Sequence, residues 1–178
     1  MIHISLDAMG GDNAPKEIIK GAVLALEEEK NLVLSLVGPR ELIKEELEAY
    51  DYPAERVKII DATQIVNNED QPSLALRRKK DSSMMKAIGL VKEGKAQAVI
   101  SAGNTGALMS GGLFLLGRIK GIDRPALAIS LPSRENGPTV LLDVGANMNV
   151  KSENLIQFAL LGKVYASKVL GKDNPKVA

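Results

Sequence analysis

The sequence IHISLDAMGGDNAPKEIIKGAVLALEEE, residues 2–29, contains a short apolar strand, a turn with two adjacent glycines, and a helix with one apolar face. Pro15 stands at the start of the predicted helix, where a residue without an N–H group is well tolerated. The same order of a short apolar run and a longer amphipathic run returns along the chain. Repeated strand–helix units therefore predict an α/β fold, with a mostly parallel sheet sandwiched by helices.

The predicted elements alternate over the whole chain. Strands are predicted at residues 2–7, 32–37, 57–61, 98–101, 126–131 and 139–144. Helices are predicted at residues 16–29, 40–50, 83–93, 105–119 and 153–170, the last capped by Ser152 and ended by Gly171. No repeat or linker marks a boundary, so residues 1–178 are expected to form a single α/β domain or the amino-terminal part of a longer α/β enzyme. The second possibility is considered because residues 174–178 look like the start of another strand.

Composition excludes several classes of function. The 178 residues include 23 Lys and Arg against 22 Asp and Glu, and 3% of them are aromatic, so no nucleic-acid partner is expected. With no cysteine and one histidine, His3, the chain has no thiolate or multi-histidine metal site. Asp7 interrupts the first apolar stretch, which lacks a basic leader, so a cytoplasmic location is expected. Residues 96–117 are uncharged, but their polar and glycine residues predict a strand, a turn and a buried helix rather than a membrane span.

Three polar turns follow three of the predicted strands. They are DAMGGDNAP at residues 7–15, SAGNTG at residues 101–106 and DVGAN at residues 143–147. Ligands of open α/β sheets collect at the carboxyl ends of the strands, and amides at the start of a following helix favour an anion. We therefore expect one anion-binding crevice formed by these turns. Carboxylates of Asp7, Asp12 and Asp143 could also converge on a metal, but the sequence gives no coordination geometry.

A basic segment lies directly before the helix predicted at residues 83–93. It contains Arg77, Arg78, Lys79, Lys80, Ser82 and Ser83. Cations, hydroxyl groups and a helix amino terminus together favour a bound anion. In the alternative interpretation, Ser82 is only the N-cap of the helix and the lysines are solvated. The spacing from Ser83 to Lys86 also fits a serine nucleophile beside a lysine, although the companion motifs of such enzymes are missing.

Six separated motifs resemble those of the bacterial phosphate acyltransferase family of phospholipid synthesis. They are LDAMGGD at residues 6–12 followed by Ala14-Pro15, EDQP at 69–72, RKKDSS at 78–83, SAGNTGAL at 101–108, GIDRPA at 121–126 and LDVGAN at 142–147. The resemblance covers this whole chain, and family members continue beyond it. It implies transfer of a fatty acyl group from acyl-acyl carrier protein to inorganic phosphate, with acyl phosphate as the product.

The resemblance also implies an isopropylmalate-dehydrogenase-like fold, a homodimer, and loose attachment to the inner membrane face through residues beyond this chain. No cofactor or metal is expected. The residues expected to be catalytic are Asp7, Lys80, Asn104, Asp143 and Asn147. Those expected to bind substrate are Gly10, Gly11, Asp12, Ser82, Ser83, Ser101, Gly103, Thr105 and Gly106. Those expected to dock the carrier protein are Arg77, Arg78 and Lys79.

Three other functions stay open at this point. A dehydrogenase of the related fold would bind a nicotinamide cofactor. A non-catalytic fragment would bind acyl carrier protein without turnover. A serine hydrolase would use Ser83 and Lys86 and would consume thioester without phosphate.

Overall fold

The chain divides into two compact units, Met1–Gly117 and Arg118–Ala178. The computed structural model describes residues 1–134 and 137–178 of these units. The expectation of a single domain, complete or part of a longer enzyme, stays a prediction.

The first unit, which is described throughout, contains a four-stranded parallel sheet. Its strands are β1 (Ile2–Asp7), β2 (Leu32–Gly38), β3 (Val57–Asp61) and β4 (Ala98–Ile100), in the order β3-β2-β1-β4. Each strand lies within one residue of its predicted bounds. A mostly parallel α/β sheet is therefore confirmed for this unit, and the carboxyl ends of β1 and β4 are adjacent because these strands pair directly.

Helices connect these strands and pack against them. They are α1 (Lys16–Glu28), α2 (Arg40–Leu47), α3 (Pro72–Arg78), α4 (Ser83–Lys92) and α5 (Thr105–Leu115), with a 3-10 helix at Ala54–Arg56. The buried face of α1 consists of Ile19, Ala22, Val23 and Leu26, which recur at the spacing of helical turns. Helix α3 was not among the predicted elements, because it has only seven residues and ends in the basic pair Arg77 and Arg78.

Among the buried residues that the structure describes, three apolar clusters hold the helices on the sheet, and two of them are large. In one, Ile19 and Leu26 of α1 lie with Leu34 and Leu36 of β2 and are almost fully buried. In the other, buried side chains of α4 contact residues before α3 and at the start of α5; its core members are Val66, Ala75, Met84, Met85, Ile88 and Ala107. Each large side chain buried in this way contributes about 1.5–3 kcal/mol of hydrophobic free energy. The second cluster fixes where α5 begins, and that position matters for the site.

Arg56 is a buried cation that joins elements distant in sequence. Only 9% of the residue is exposed, and its guanidinium donates to the carbonyl oxygens of Leu26 (2.8 Å), Glu29 (2.9 Å) and Leu32 (3.4 Å). The last carbonyls of a helix lack partners within the helix. Arg56 therefore satisfies carbonyls at the end of α1 and ties the 3-10 helix to the start of β2.

The second unit contains β5 (Ala128–Leu131), β6 (Thr139–Leu142) and α6 (Ser152–Lys168). The prediction of a mostly parallel sheet does not extend to these strands, because β5 and β6 form a separate antiparallel pair. The connection over residues 132–138 is too short for the crossover that parallel strands need. The predicted cap at Ser152 is also displaced: α6 includes this residue, and Asn154 Oδ1 accepts from the backbone N–H of Lys151 at 3.0 Å.

Within the described residues, no helix is both long enough and apolar enough to cross a membrane. The uncharged segment 96–117 contains β4, a turn and α5, as predicted. The expected burial of its helix is only partial: Ala107 and Gly111 are buried, whereas Phe114 is 78% exposed.

Candidate active site

Two of the predicted turns meet at the carboxyl ends of β1 and β4. The close approach occurs between glycines: a Cβ atom added at Gly10 would lie 2.7 Å from Ser101 Oγ and 2.8 Å from the backbone N of Gly103. A Cβ at Gly103 would in turn lie 3.1 Å from the Cα of Gly10. A side chain at position 10 would push the turns apart. The two turns that belong to the first unit are thus in contact, and an anion-binding crevice formed by the predicted turns stays a prediction.

Asp7 lies beneath the junction of these two turns. The residue is 2% exposed, and its carboxylate accepts from Ser101 Oγ at 2.7 Å and from the backbone N–H of Met9 at 3.2 Å. Ser101 Oγ itself accepts from the backbone N–H of Gly103 at 3.2 Å. Asp7 thus fixes the Ser101 hydroxyl, and through it the backbone of the second turn.

The second turn leads directly into α5. Asn104 is the N-cap of this helix, because its Oδ1 accepts from the backbone N–H of Ala107 at 2.9 Å. In the described chain, the backbone N–H groups of Thr105 and Gly106 have no hydrogen-bond acceptor. Such amides carry the positive end of the helix dipole and suit an anion. Thr105 is exposed, so a ligand can reach this end of the helix.

The nitrogen of the Asn104 side-chain amide binds a loop at residues 67–70, between β3 and α3. Its Nδ2 lies 3.0 Å from the carbonyl oxygen of Asn68, 3.1 Å from that of Asp70 and 3.4 Å from that of Asn67. An amide nitrogen has two protons, so these three acceptors occupy its donor capacity. The amide is therefore committed to the loop rather than aimed at a free ligand position.

A cleft of about 340 Å³ lies between the first turn and this loop. It is lined by Met9, Gly11, Asp12, Val66, Asn67, Asn68 and Glu69. Asn68 Nδ2 donates to Asp12 Oδ1 at 2.9 Å across it, so both walls are joined by a hydrogen bond. Sequence reasoning placed Asp12 at the site but did not include residues 66–68. The polar run NNED at residues 67–70, which follows a predicted strand, is the signal that could have identified them.

The basic segment is divided between paired and exposed cations. Lys79 Nζ donates to the Asp70 carboxylate and, at 2.8 Å, to the carbonyl oxygen of Ile65. The hydrogen bond from Lys79, supported by the backbone N–H of Asn67, lowers the pKa of Asp70 below its ordinary value. Lys79 thus stabilises the loop, while Arg78 and Lys80 are exposed.

The two serines after the basic segment lie inside the protein. Ser82 is fully buried and caps α4 by accepting from the backbone N–H of Met85 at 3.4 Å, as the capping interpretation predicted. Ser83 is 1% exposed. Lys86 donates to the carbonyl oxygen of Asp61 at 2.8 Å and pairs with the Asp81 carboxylate. The hydrogen bond from Lys86 to Asp81, with a second from Thr63, holds the pKa of Asp81 well below its ordinary range.

His3 lies near the start of β1, away from the carboxyl end that carries the site. Its Nε2 lies 2.9 Å from Oγ of the buried Ser35. Burial, followed by the charge of Lys58, lowers the pKa of His3. A structural role accounts for these contacts.

The third predicted turn belongs to the second unit. Asp143 has a φ of 61°, a left-handed conformation that is uncommon for a residue other than glycine. Its Oδ1 accepts from Asn147 Nδ2 at 2.7 Å, and the same nitrogen donates to the carbonyl oxygen of Pro125 at 3.0 Å. Asp143 and Asn147 are thus brought together, and their participation in a common site with Asp7 stays a prediction. Among the described residues, no three carboxylate or imidazole groups converge as a metal site would require.

Solved structures of phosphotransacylases share the fold of this chain. A phosphotransacetylase from Streptococcus pyogenes matches with a TM-score of 0.70 at 16% identity, over 97% of this chain and 55% of that chain. A branched-chain phosphotransacylase from Enterococcus faecalis V583 matches with a TM-score of 0.62 at 18% identity, over 98% of this chain and 54% of that chain. At these identities the likeness establishes the fold alone.

Comparison with related sequences identifies the family of this chain. Residues 2–178 match the family model described as "Fatty acid synthesis protein", and the chain belongs to that family. It is 52% identical to the phosphate acyltransferase of Clostridium tetani and 54% identical to that of Halothermothrix orenii, over 99% of its own length in both cases. It spans 52% of the length of each of these relatives.

Proposed function

We propose that this chain carries an acyl-transfer site that moves a fatty acyl group from acyl-acyl carrier protein to inorganic phosphate, giving acyl phosphate for phospholipid synthesis. The family and the names of the relatives support phosphate acyl transfer. The observation that carries the proposal is the clamped pair of turns, in which Asp7 and Ser101 hold the backbone that leads into the free amides of α5.

Phosphate is proposed to bind at the amino terminus of α5. The backbone N–H groups of Thr105 and Gly106 supply donors, and the helix dipole favours the anion. The hydroxyl of Thr105 supplies a further donor at the same exposed end. Rigid donors suit this task because a positioned nucleophile lowers the entropy cost of the reaction. Asp7 contributes by holding the turn rather than by meeting the phosphate, since its carboxylate is buried and already hydrogen-bonded.

The chemical step is proposed to be direct. A phosphate oxygen attacks the thioester carbonyl carbon, the new C–O bond forms, and the C–S bond breaks with departure of a thiolate. A thiol with a pKa of about 8.5 leaves readily, so no acyl-enzyme is needed. The backbone N–H of Gly11 is proposed as the donor to the developing oxyanion, because Gly10 N–H already makes a weak turn contact of 3.4 Å to the Asp7 carbonyl oxygen.

The carrier protein is proposed to dock on exposed cations beside α3. Arg77, Arg78 and Lys80 are exposed, whereas Lys79 is engaged by Asp70. Opposite charges steer association and raise the association rate at low salt. Substituting Arg78→Glu should slow association and flatten its salt dependence, whereas Lys30→Glu, the same charge change on an exposed lysine elsewhere, should not. Equal effects of both substitutions would contradict docking at this segment.

The test of the reaction is consumption of a long-chain acyl-acyl carrier protein with and without inorganic phosphate, with hydroxylamine added to trap acyl phosphate. Phosphate-dependent loss with trapped product supports the proposal. Consumption without phosphate would indicate a hydrolase, and Ser83→Ala would then test the serine–lysine alternative. Carrier binding by a folded chain that never turns over would favour the non-catalytic alternative.

A dehydrogenase has no specific support in the described site, and unchanged nicotinamide fluorescence on mixing would remove it. The isopropylmalate-dehydrogenase-like fold, the homodimer, the cytoplasmic location and the attachment to the inner membrane face stay predictions.

A further inference from the structure

We propose that Asn104 is a positioning residue that anchors the loop at residues 67–70 to the amino terminus of α5 and thereby sets the width of the neighbouring cleft. The inference rests on the proposed function for its consequence in catalysis. Its structural part stands on the hydrogen bonds of Asn104 alone. It replaces the expected role of Asn104 as a catalytic residue.

The two ends of the Asn104 amide perform different tasks. Oδ1 accepts from the backbone N–H of Ala107 and caps α5, while Nδ2 donates to carbonyl oxygens of the loop. Asparagine and aspartate cap helices about equally well. Only the amide of asparagine also has N–H donors, so the second task explains why asparagine rather than aspartate suits this position.

The loop has little regular structure of its own, so its place depends on such contacts. Asn67 N–H donates to the Asp70 carboxylate at 2.8 Å, and Asp70 N–H donates to the Asn67 carbonyl oxygen at 3.1 Å. These bonds give the loop its shape, but they do not attach it to the rest of the unit. Attachment comes from Lys79 on one side, Asn104 on another, and Asn68 bonded to Asp12 across the cleft.

The position of this loop decides the size of the cleft. One wall consists of Met9, Gly11 and Asp12, which belong to the clamped first turn, and the other consists of residues 66–69. The first wall is fixed through Asp7 and the glycine contact described above. The second wall can move only if its anchors release, so Asn104 couples the start of α5 to the shape of the cleft.

Two substitutions separate anchoring from capping. Asn104→Asp and Asn104→Ser both retain a capping oxygen, and both lose the N–H donors that reach the loop. Gly112→Ala is the control within α5, because a Cβ there meets no other atom within 4 Å. Hydrogen exchange of peptides that contain the Asn67 and Asp70 amides reports opening of the loop, which its internal bonds and its anchors together oppose, with no dependence on substrate.

Both capping-competent variants should increase exchange at these loop amides by about 10-fold or more, with α5 amides and the control unchanged. Unchanged loop exchange in both would overturn the proposal. An increase in Asn104→Asp alone would also overturn it, since charge repulsion with Asp70 would then explain the effect.

The kinetic test distinguishes positioning from oxyanion contact. A moved wall should raise the KM for the acyl donor several-fold with kcat little changed. A kcat lowered by about 10²–10³ with KM unchanged is expected for a lost oxyanion donor, and it would overturn the positioning role. If the unsubstituted chain shows no phosphate-dependent turnover, the proposed function fails, while the exchange measurement still decides whether Asn104 anchors the loop.

Discussion

Gly10→Ala tests whether the contact between the two turns creates the site. An added Cβ would meet Ser101 Oγ at 2.7 Å, the Asp7 carboxylate at 2.8 Å and the backbone N of Gly103 at 2.8 Å. These separations are about 0.7 Å inside favourable contact. One of the opposing atoms is backbone, and the other two belong to the Asp7–Ser101 hydrogen bond. The turns must therefore move, and the hydrogen bond must lengthen or break.

The expected loss follows from overpacking. Forcing a methyl group into a filled position costs about 1–3 kcal/mol, which we expect as the decrease in the free energy of unfolding. Gly21→Ala in α1 is the matched control, because a Cβ there meets nothing within 4 Å. In a helix this change should stabilise by about 0.5–1 kcal/mol. The two glycine-to-alanine changes are thus expected to have opposite signs.

Urea unfolding of both variants measures the stabilities, and phosphate-dependent formation of hydroxylamine-trapped product measures the site. Gly10→Ala should reduce turnover at least 10-fold under conditions where the protein stays folded, because the amides that follow Ser101 lose their alignment. The reasoning is refuted if Gly10→Ala is as stable as the unsubstituted chain and retains its turnover. A similar loss in Gly21→Ala would equally show that the glycine contact is not the cause.

Three further predictions concern stability. Arg56→Met should lower the free energy of unfolding by about 2–4 kcal/mol in urea titrations, because buried carbonyl groups lose a charged donor, and Arg56→Lys should not fully restore it. Because the pKa of folded His3 lies below the unfolded value of 6.5, the unfolded chain binds the proton first, so stability should fall as the pH falls through 6.5. His3→Gln should flatten that part of the stability curve. Because the pKa of Asp70 lies below its ordinary 3.8, its stabilising contribution should be present above that pH and lost below it. Thermal unfolding at several pH values should therefore show Asp70→Asn differing from the unsubstituted chain at pH 7 and converging with it in acid.

The sequence was sufficient to predict the parallel sheet of the first unit. Continuous apolar runs such as LVLSLV at residues 32–37 are typical of strands buried between helices, and this pattern locates them closely. The antiparallel pairing of β5 and β6 was missed because hydrophobic alternation over four residues does not encode strand direction. The relative direction of the two strands depends on the length of the connection between them. The seven residues 132–138 are too few for a parallel crossover, and this short length was the signal for antiparallel pairing.

The site was predictable in part. Polar turns after strands identified Asp7, Gly10 and Ser101, since neighbouring parallel strands must end at one edge. The partners of Asn104 were not predictable, because they are main-chain oxygens 34 to 37 residues earlier in a loop without a motif of its own. The ion pair between Lys79 and Asp70 could not be predicted from the sequence either. A run of basic residues does not reveal which of them faces a carboxylate.

The pairing of β1 with β4 has a consequence for a newly synthesised chain. Asp7 and Ser101 are separated by 94 positions, so most of the first unit must be made before the site can close. Until residues 97–100 arrive, one edge of β1 has no hydrogen-bonding partner, and an open parallel edge readily recruits another chain. We expect a chain ended at residue 96 to self-associate in light scattering, and a peptide of the β4 sequence to suppress it. In this fold, the strand that brings the two turns of the candidate site together also replaces the six-residue open edge of β1 with the three-residue edge of β4.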